Sequence, residues 1–225
     1  VYNKMGLGLL LSAVLAFVAG TVDPVTALVF NSPLRFVVQF GPIALLFGSM
    51  FFMRNPSPLG AAVLYWSVVS LIGTGLGIWV LMATSGMTAE TLTGSINITF
   101  GTIAQAFVIT AAAFFGLSLY GYTTKTNLQP LGTFLVMGVI GVVLISLLNV
   151  FFMESSALQW IIQFAILGLM AGVVAWQTQS LKLTYVEARD DQRSLSVLTY
   201  YGALNLYIAF INMFQIVLMM LGNRE

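Results

Sequence analysis

Seven stretches of this sequence are each long and apolar enough to cross a bilayer, and they leave little chain for anything else. A membrane-crossing helix needs about 20 mostly apolar residues, and the windows fall at roughly 5–22, 34–53, 59–83, 96–121, 131–153, 158–180 and 198–221. The hydrocarbon interior offers no water to open backbone groups, so each window is expected to be a helix. The predicted fold class is an all-α integral membrane protein: one transmembrane domain over residues 1–225, built as a seven-transmembrane-helix bundle. Breaker residues separate the windows where hydropathy falls. Asp23-Pro24 and Asn31-Ser32-Pro33 divide the first two, and Arg54-Asn55-Pro56-Ser57-Pro58 the second and third. Thr84 to Ser95 ends the third, Thr123 to Pro130 the fourth, Glu154-Ser155-Ser156 the fifth, and Lys182 to Arg193 the sixth.

Composition excludes the other broad classes. Of 225 residues, 59% are hydrophobic and 7% charged, whereas a soluble domain carries about a quarter charged residues. A net charge of +1 without a basic patch gives no footprint for nucleic acid. The chain has no Cys and no His. Thiolate chemistry, Cys-ligated clusters, the histidine-ligated metalloprotease and the serine–histidine protease are therefore excluded. The side chain that ordinarily titrates near neutral pH is missing as well.

Lys and Arg set orientation. With the N-terminus in the cytoplasm, the inside holds Lys4, Arg54, Lys125, Lys182, Arg189 and Arg193, and the outside only Arg35 and Arg224. Lys4 followed by an apolar run resembles a secretory leader, but six further spans follow, so the first window is read as an uncleaved helix. Small residues mark close packing: Gly73, Gly75 and Gly77 in the third span, Ala111 to Ala113 with Gly116 in the fourth, Gly138 and Gly141 in the fifth, and the Gly168/Gly172 pair in the sixth. They fit ordinary bundle packing, and alternatively a dimer face or hinge.

The last span is unusually polar. Asn205, Ala209 and Asn212 fall at i, i+4 and i+7, on one helical face. Amides are costly in hydrocarbon, so this face is expected to meet other helices or water, which places the last helix at the centre. The two asparagines serve either as interhelical glue or as part of a pathway. Gln105, Asn149, Gln163 and Gln177 are further candidates for buried amides. No span carries a carboxylate in its middle, which removes the paired aspartates of an intramembrane protease. Neither catalysis nor a cofactor or metal centre is expected. The Glu187 to Arg193 run reads as a solvated loop.

The segment Gly116-Leu-Ser-Leu-Tyr-Gly-Tyr-Thr-Thr-Lys-Thr-Asn-Leu128, together with Leu204-Asn-Leu-Tyr-Ile-Ala-Phe-Ile-Asn-Met-Phe214 and the Gly222-Asn-Arg224 ending, resembles the transmembrane Bax inhibitor motif family in its bacterial inner-membrane branch. The resemblance implies seven helices with the last at the centre, and either a pH-sensitive calcium leak or a regulator that contacts another membrane protein such as a protease. In pH-sensing members, an aspartate ending the sixth span faces one in the seventh. The corresponding segments here are Trp176-Gln177-Thr178-Gln179 and Leu206-Tyr207-Ile208-Ala209-Phe210, so both aspartates are replaced. Arg54 stands where the family has an arginine beyond the second span. The resulting candidates for an ion pathway or gate are Arg54, Gln177, Asn205, Ala209 and Asn212. A passive cation leak with altered or absent proton gating is expected, because neither Gln177 nor Ala209 can ionise. The expected partners are the lipid bilayer, calcium or another cation, and another membrane protein.

Overall fold

The computed structural model describes residues 1–52, 56–91, 94–188 and 191–223. Among them are eight α-helices and one hairpin: α1 (Tyr2–Thr21), α2 (Asp23–Phe30), α3 (Leu34–Phe52), α4 (Pro58–Ser85), β1 (Thr88–Thr91), β2 (Gly94–Asn97), α5 (Phe100–Thr123), α6 (Gln129–Leu148), α7 (Ser156–Glu187) and α8 (Gln192–Gly222). Seven of the helices, all but α2, are long and apolar enough to span a membrane. Arg54, Arg189 and Arg224 lie outside the described residues.

Local chemistry sets most helix ends. Ser57 caps α4 by accepting from the Gly60 amide at 3.0 Å, with Pro58 in the first turn, where a missing N–H costs nothing. At the other end of α4, Gly86 takes a left-handed φ of 65°, which only glycine adopts without a steric penalty. Thr99 and Thr102 form a reciprocal capping box at the start of α5. α6 runs on into a π turn at Asn149–Met153. There the buried Asn149 side chain donates to the Ser155 carbonyl at 3.2 Å and accepts from the Ser155 amide at 3.0 Å. These bonds tie down the reversal into α7, where Glu154 carries a φ of 47°.

Three features differ from the sequence expectation. Asp23-Pro24 does not simply break the chain but starts α2, since proline is well placed in a first helical turn. The stretch after α4, read from the sequence only as the end of the third span, forms an antiparallel hairpin, pairing Thr88 with Asn97 and Ala89 with Ile96. The fourth span accordingly begins at Phe100, not near 96, because Ile96 and Ile98 are committed to the strand side and are each 1% exposed.

The chain divides into two compact units, Val1–Gly86 with Thr184–Tyr207, and Met87–Leu183 with Ile208–Glu225. In the first, α1 packs along α4 at very close range. A methyl group on Gly73 would stand 2.6 Å from Ser12 Cα, and one on Gly77 would stand 2.7 Å from Ala19 Cβ. α3 rests on α4 with 6% of its apolar window buried, as a helix presenting nearly all its sides to lipid would. In the second unit α6 runs against α7. Gly138 faces Leu169, Gly172 faces Leu135, and Gly132 makes room for the Trp176 ring. Gly168, the other half of the glycine pair in the sixth span, meets nothing within 4 Å. The last helix is the core element. Half of its apolar window is buried, against 33% at most in any other span. Its first half belongs to the first unit and its second half to the other.

Candidate functional site

Within the first unit, hydroxyl groups dominate the buried polar chemistry. Ser12 lies midway along α1 and is 2% exposed, and Tyr207 of α8 is fully buried. Their hydroxyl oxygens are 2.7 Å apart. Ser12 also donates to the Gly8 carbonyl at 2.9 Å. A serine hydroxyl has one proton, so with that proton on Gly8 it is Tyr207 that donates to Ser12. One turn or more towards the start of α1, the Tyr65 hydroxyl donates to the Lys4 carbonyl at 2.6 Å. The absence of a side chain at Gly8 leaves the space that the Tyr65 ring tip fills. Lys4 Nζ sits 5.2 Å over the ring of Tyr200, an arrangement that favours a cation on an aromatic face. Sequence reasoning did not single out Ser12, Tyr65 or Tyr207. Hydroxyl residues recur in these windows, with Ser67, Ser70 and Thr74 beside Tyr65, so the sequence offers no signal that sets these three apart.

In the second unit, the far half of α8 is fixed by aromatic edges. Phe107 and Phe114 of α5 meet Phe210 at centroid distances of 5.7 and 5.5 Å, and Phe107 meets Phe214 at 6.5 Å. Ala209, next to Phe210 in sequence, is buried. Asn212 is half-buried, and so is Gln177, whose Oε1 is enclosed without a hydrogen-bond partner among the described residues. Asn205 is exposed and belongs to the first unit. The three residues that share one helical face therefore occupy three different environments. Gln105 is exposed rather than buried, because it lies off the inward stripe of α5 formed by Thr102, Ala106, Thr110 and Phe114. Gln179, two residues beyond Gln177 and so on the other side of α7, is absent from the sequence candidates and binds the loop before α6. Its carbonyl accepts from the Leu128 amide at 2.7 Å, and its Nε2 donates to the Thr126 carbonyl at 2.8 Å. Lys182 Nζ donates to the Tyr122 carbonyl at 3.0 Å and thereby neutralises part of the open C-terminal end of α5.

No group of three or more potential metal ligands occurs among the described residues. Described carboxylates lie outside the apolar windows: Asp23 starts α2, Glu154 sits in the turn before α7, and Asp191 precedes α8. Asp191 caps α8 by accepting from the Arg193 amide at 3.0 Å, the Ser194 amide at 3.2 Å and the Ser194 hydroxyl. Those hydrogen bonds, led by the Ser194 hydroxyl, hold its carboxyl below the usual carboxylate range.

A multi-pass helical membrane protein with its last helix most buried is the class that this fold defines. The family model described as "Inhibitor of apoptosis-promoting Bax1" matches residues 1–225, and the chain belongs to that Bax inhibitor family. A protein of Caulobacter vibrioides is 43% identical over 235 residues, covering 100% of this chain and 88% of the relative. The Escherichia coli inner membrane protein YbhL is 34% identical over 230 residues, covering 100% and 90%. RP147 of Rickettsia prowazekii is 34% identical over 229 residues, covering 100% and 88%.

Proposed function

We propose that this Bax inhibitor family protein is a passive cation leak of the bacterial inner membrane, with its N-terminus in the cytoplasm and its proton gating altered or absent. The observation that supports it most is in the second unit. There the most buried helix carries the half-buried amide of Asn212, and α7 carries the Gln177 carbonyl without a partner. Such groups are costly in hydrocarbon and are retained where water or an ion meets them. Gln177 and Ala209 mark the gate region, Asn205 and Asn212 the polar face, and Arg54 a mouth residue. Calcium, which prefers several oxygen ligands and usually carboxylates, meets only neutral oxygens here, so conduction without tight binding follows. No catalytic step enters this reading. Cation flux into vesicles reconstituted with the full chain, measured at two pH values, tests it. Flux above protein-free vesicles with little pH dependence is expected. Flux equal to the protein-free control ends the leak reading, and strong acid control contradicts the missing switch.

A second reading is favoured by a different observation. Gly116 and Gly168 are exposed small residues on spanning helices with nothing within 4 Å. Such surfaces let another helix approach closely. In this reading the protein regulates a second membrane protein, such as a membrane protease. Crosslinking in native membranes then recovers one stoichiometric partner, and repeated recovery of this chain alone counts against it.

A further inference from the structure

Buried polarity is handled differently in the two units. Every described side-chain nitrogen or oxygen that is enclosed without a partner belongs to the second, including those of Thr110, Ser118, Gln163 and Gln177. Gln163 is the most demanding of these. It is 4% exposed, and neither its Oε1 nor its Nε2 has a partner. Thr110 is fully buried, with an equally unpartnered hydroxyl.

Helix geometry brings these two residues to the same depth. α5 and α7 start on the same side, because one spanning helix, α6, separates them. At 1.5 Å per residue, Thr110 lies about 15 Å and Gln163 about 10 Å from their helix starts. A second reference agrees: Gly121 packs on Ala175, and stepping back 11 and 12 residues reaches Thr110 and Gln163. Both residues are also buried within this unit. Eleven residues are about three turns, so Thr110 points as Gly121 does, towards α7. Gln163 points as Val174 does, which is fully buried: about 120° around α7 from Ala175 and opposite Gly172, which faces α6, so it is turned into the interior of the unit.

We propose that Thr110 and Gln163 form an internal hydration site at mid-membrane depth, whose ligand is water rather than a metal ion. The amide has a donor and an acceptor to satisfy, and the hydroxyl has both as well. A cation would engage only oxygens and leave Nε2 stranded, whereas water donates and accepts and ordinarily makes about three such bonds. No cluster of charged ligands accompanies the site among the described residues. The site differs from the gate region at Gln177, which lies 14 residues, or about 21 Å, further along α7. It stands apart from the leak reading, because a held water needs no ion flux.

The test is water-to-amide magnetisation transfer in the full chain, labelled with amide-¹⁵N glutamine, in lipid nanodiscs. Gln163→Leu identifies the signal. Thr110→Val provides a second route should that variant fail to fold. Transfer from water to the Gln163 amide is expected, falling about twofold or more in Thr110→Val as the water loses one of its roughly three bonds. The Gln179 amide, held by Thr126, stays unchanged in that variant. A Gln163 amide that receives magnetisation only from protein or lipid protons overturns the proposal, as does a water signal indifferent to Thr110→Val.

Discussion

The hydroxyl pair in the first unit makes an asymmetric prediction. Tyr207 donates to Ser12, and Ser12 passes its own proton to the Gly8 carbonyl at 2.9 Å, with the Val69 carbonyl a second acceptor at 3.4 Å. Tyr207→Phe removes a donor and leaves Ser12 with its proton still satisfied. The loss is that of one ordinary hydrogen bond, about 0.5–1.5 kcal/mol, and bonds between membrane helices average nearer to about 0.6 kcal/mol. Ser12→Ala also deletes a single hydroxyl oxygen, but it strands the phenolic proton of a fully buried tyrosine, which costs about 1–3 kcal/mol. The substitution at Ser12 is therefore expected to be the more harmful of two equal-sized deletions. In the double variant nothing is stranded, so its cost should be below the sum of the two and close to that of Tyr207→Phe alone. Unfolding of the purified protein by a graded increase of denaturing detergent, followed by circular dichroism, gives all three free energies. The reasoning is refuted if Tyr207→Phe is costlier than Ser12→Ala, or if the two effects add.

Three other outcomes follow from the structure. Gly73→Ala forces a Cβ to 2.6 Å from the Ser12 backbone and should cost about 1–3 kcal/mol in the same titration, whereas Gly168→Ala meets nothing within 4 Å and should stay within about 1 kcal/mol of the parent; equal effects would deny the close α1–α4 approach. Because the Asp191 carboxyl is held below its usual range in the fold, its capping contribution is complete above the ordinary carboxylate value of 3.8 and disappears as pH falls through the lowered one. The exchange protection of the Ser194 amide should fall over that acid window, and Asp191→Asn, which keeps an acceptor oxygen, should remove the pH dependence. Finally, Gln177→Asp combined with Ala209→Asp should confer pH-dependent cation flux on reconstituted vesicles that neither single substitution confers, since mutual repulsion of two carboxylates is needed to raise one of their pKa values; a single variant with the full response would show that proximity is not the cause.

The spanning helices were legible because each is a long apolar run closed by breakers. The last helix is the most buried, as expected, but the amides used to infer this are not its buried face: Asn205 is exposed and Asn212 half-buried, whereas Leu206, Tyr207 and Leu218 are fully buried. What hydropathy misses is short or relational. Four-residue strands at Thr88–Thr91 and Gly94–Asn97 leave only the alternation of Ile96 and Ile98 as a trace, and their purpose emerges when those side chains pack on Gly222 at the end of α8. The spacing of Gly168 and Gly172 shows that both are small, not that only Gly172 meets a neighbour. Asn205 and Asn212 repeat on one face, yet α8 passes from one unit to the other between them, so the same direction meets different surroundings. Periodicity along one helix reports direction. It does not report what lies in that direction.

The two units solve one physical problem in opposite ways. In the first, the buried hydroxyls of Ser12, Tyr65 and Tyr207 are matched to one another or to carbonyls, and glycines at 8 and 73 let the helices approach closely enough for those bonds to form. A region built so gains order from its polar atoms and has no need of water. In the second, Thr110, Ser118, Gln163 and Gln177 are enclosed with groups left open. Retaining an unmatched amide in hydrocarbon costs more than replacing it by leucine. The energetic sense of such groups lies in what they hold when the protein sits in its bilayer. Among the described residues, the enclosed groups left open lie in the unit that contains α5, α6 and most of α7, whereas the buried hydroxyls that the other unit places on α1, α4 and the first half of α8 bind one another or backbone carbonyls.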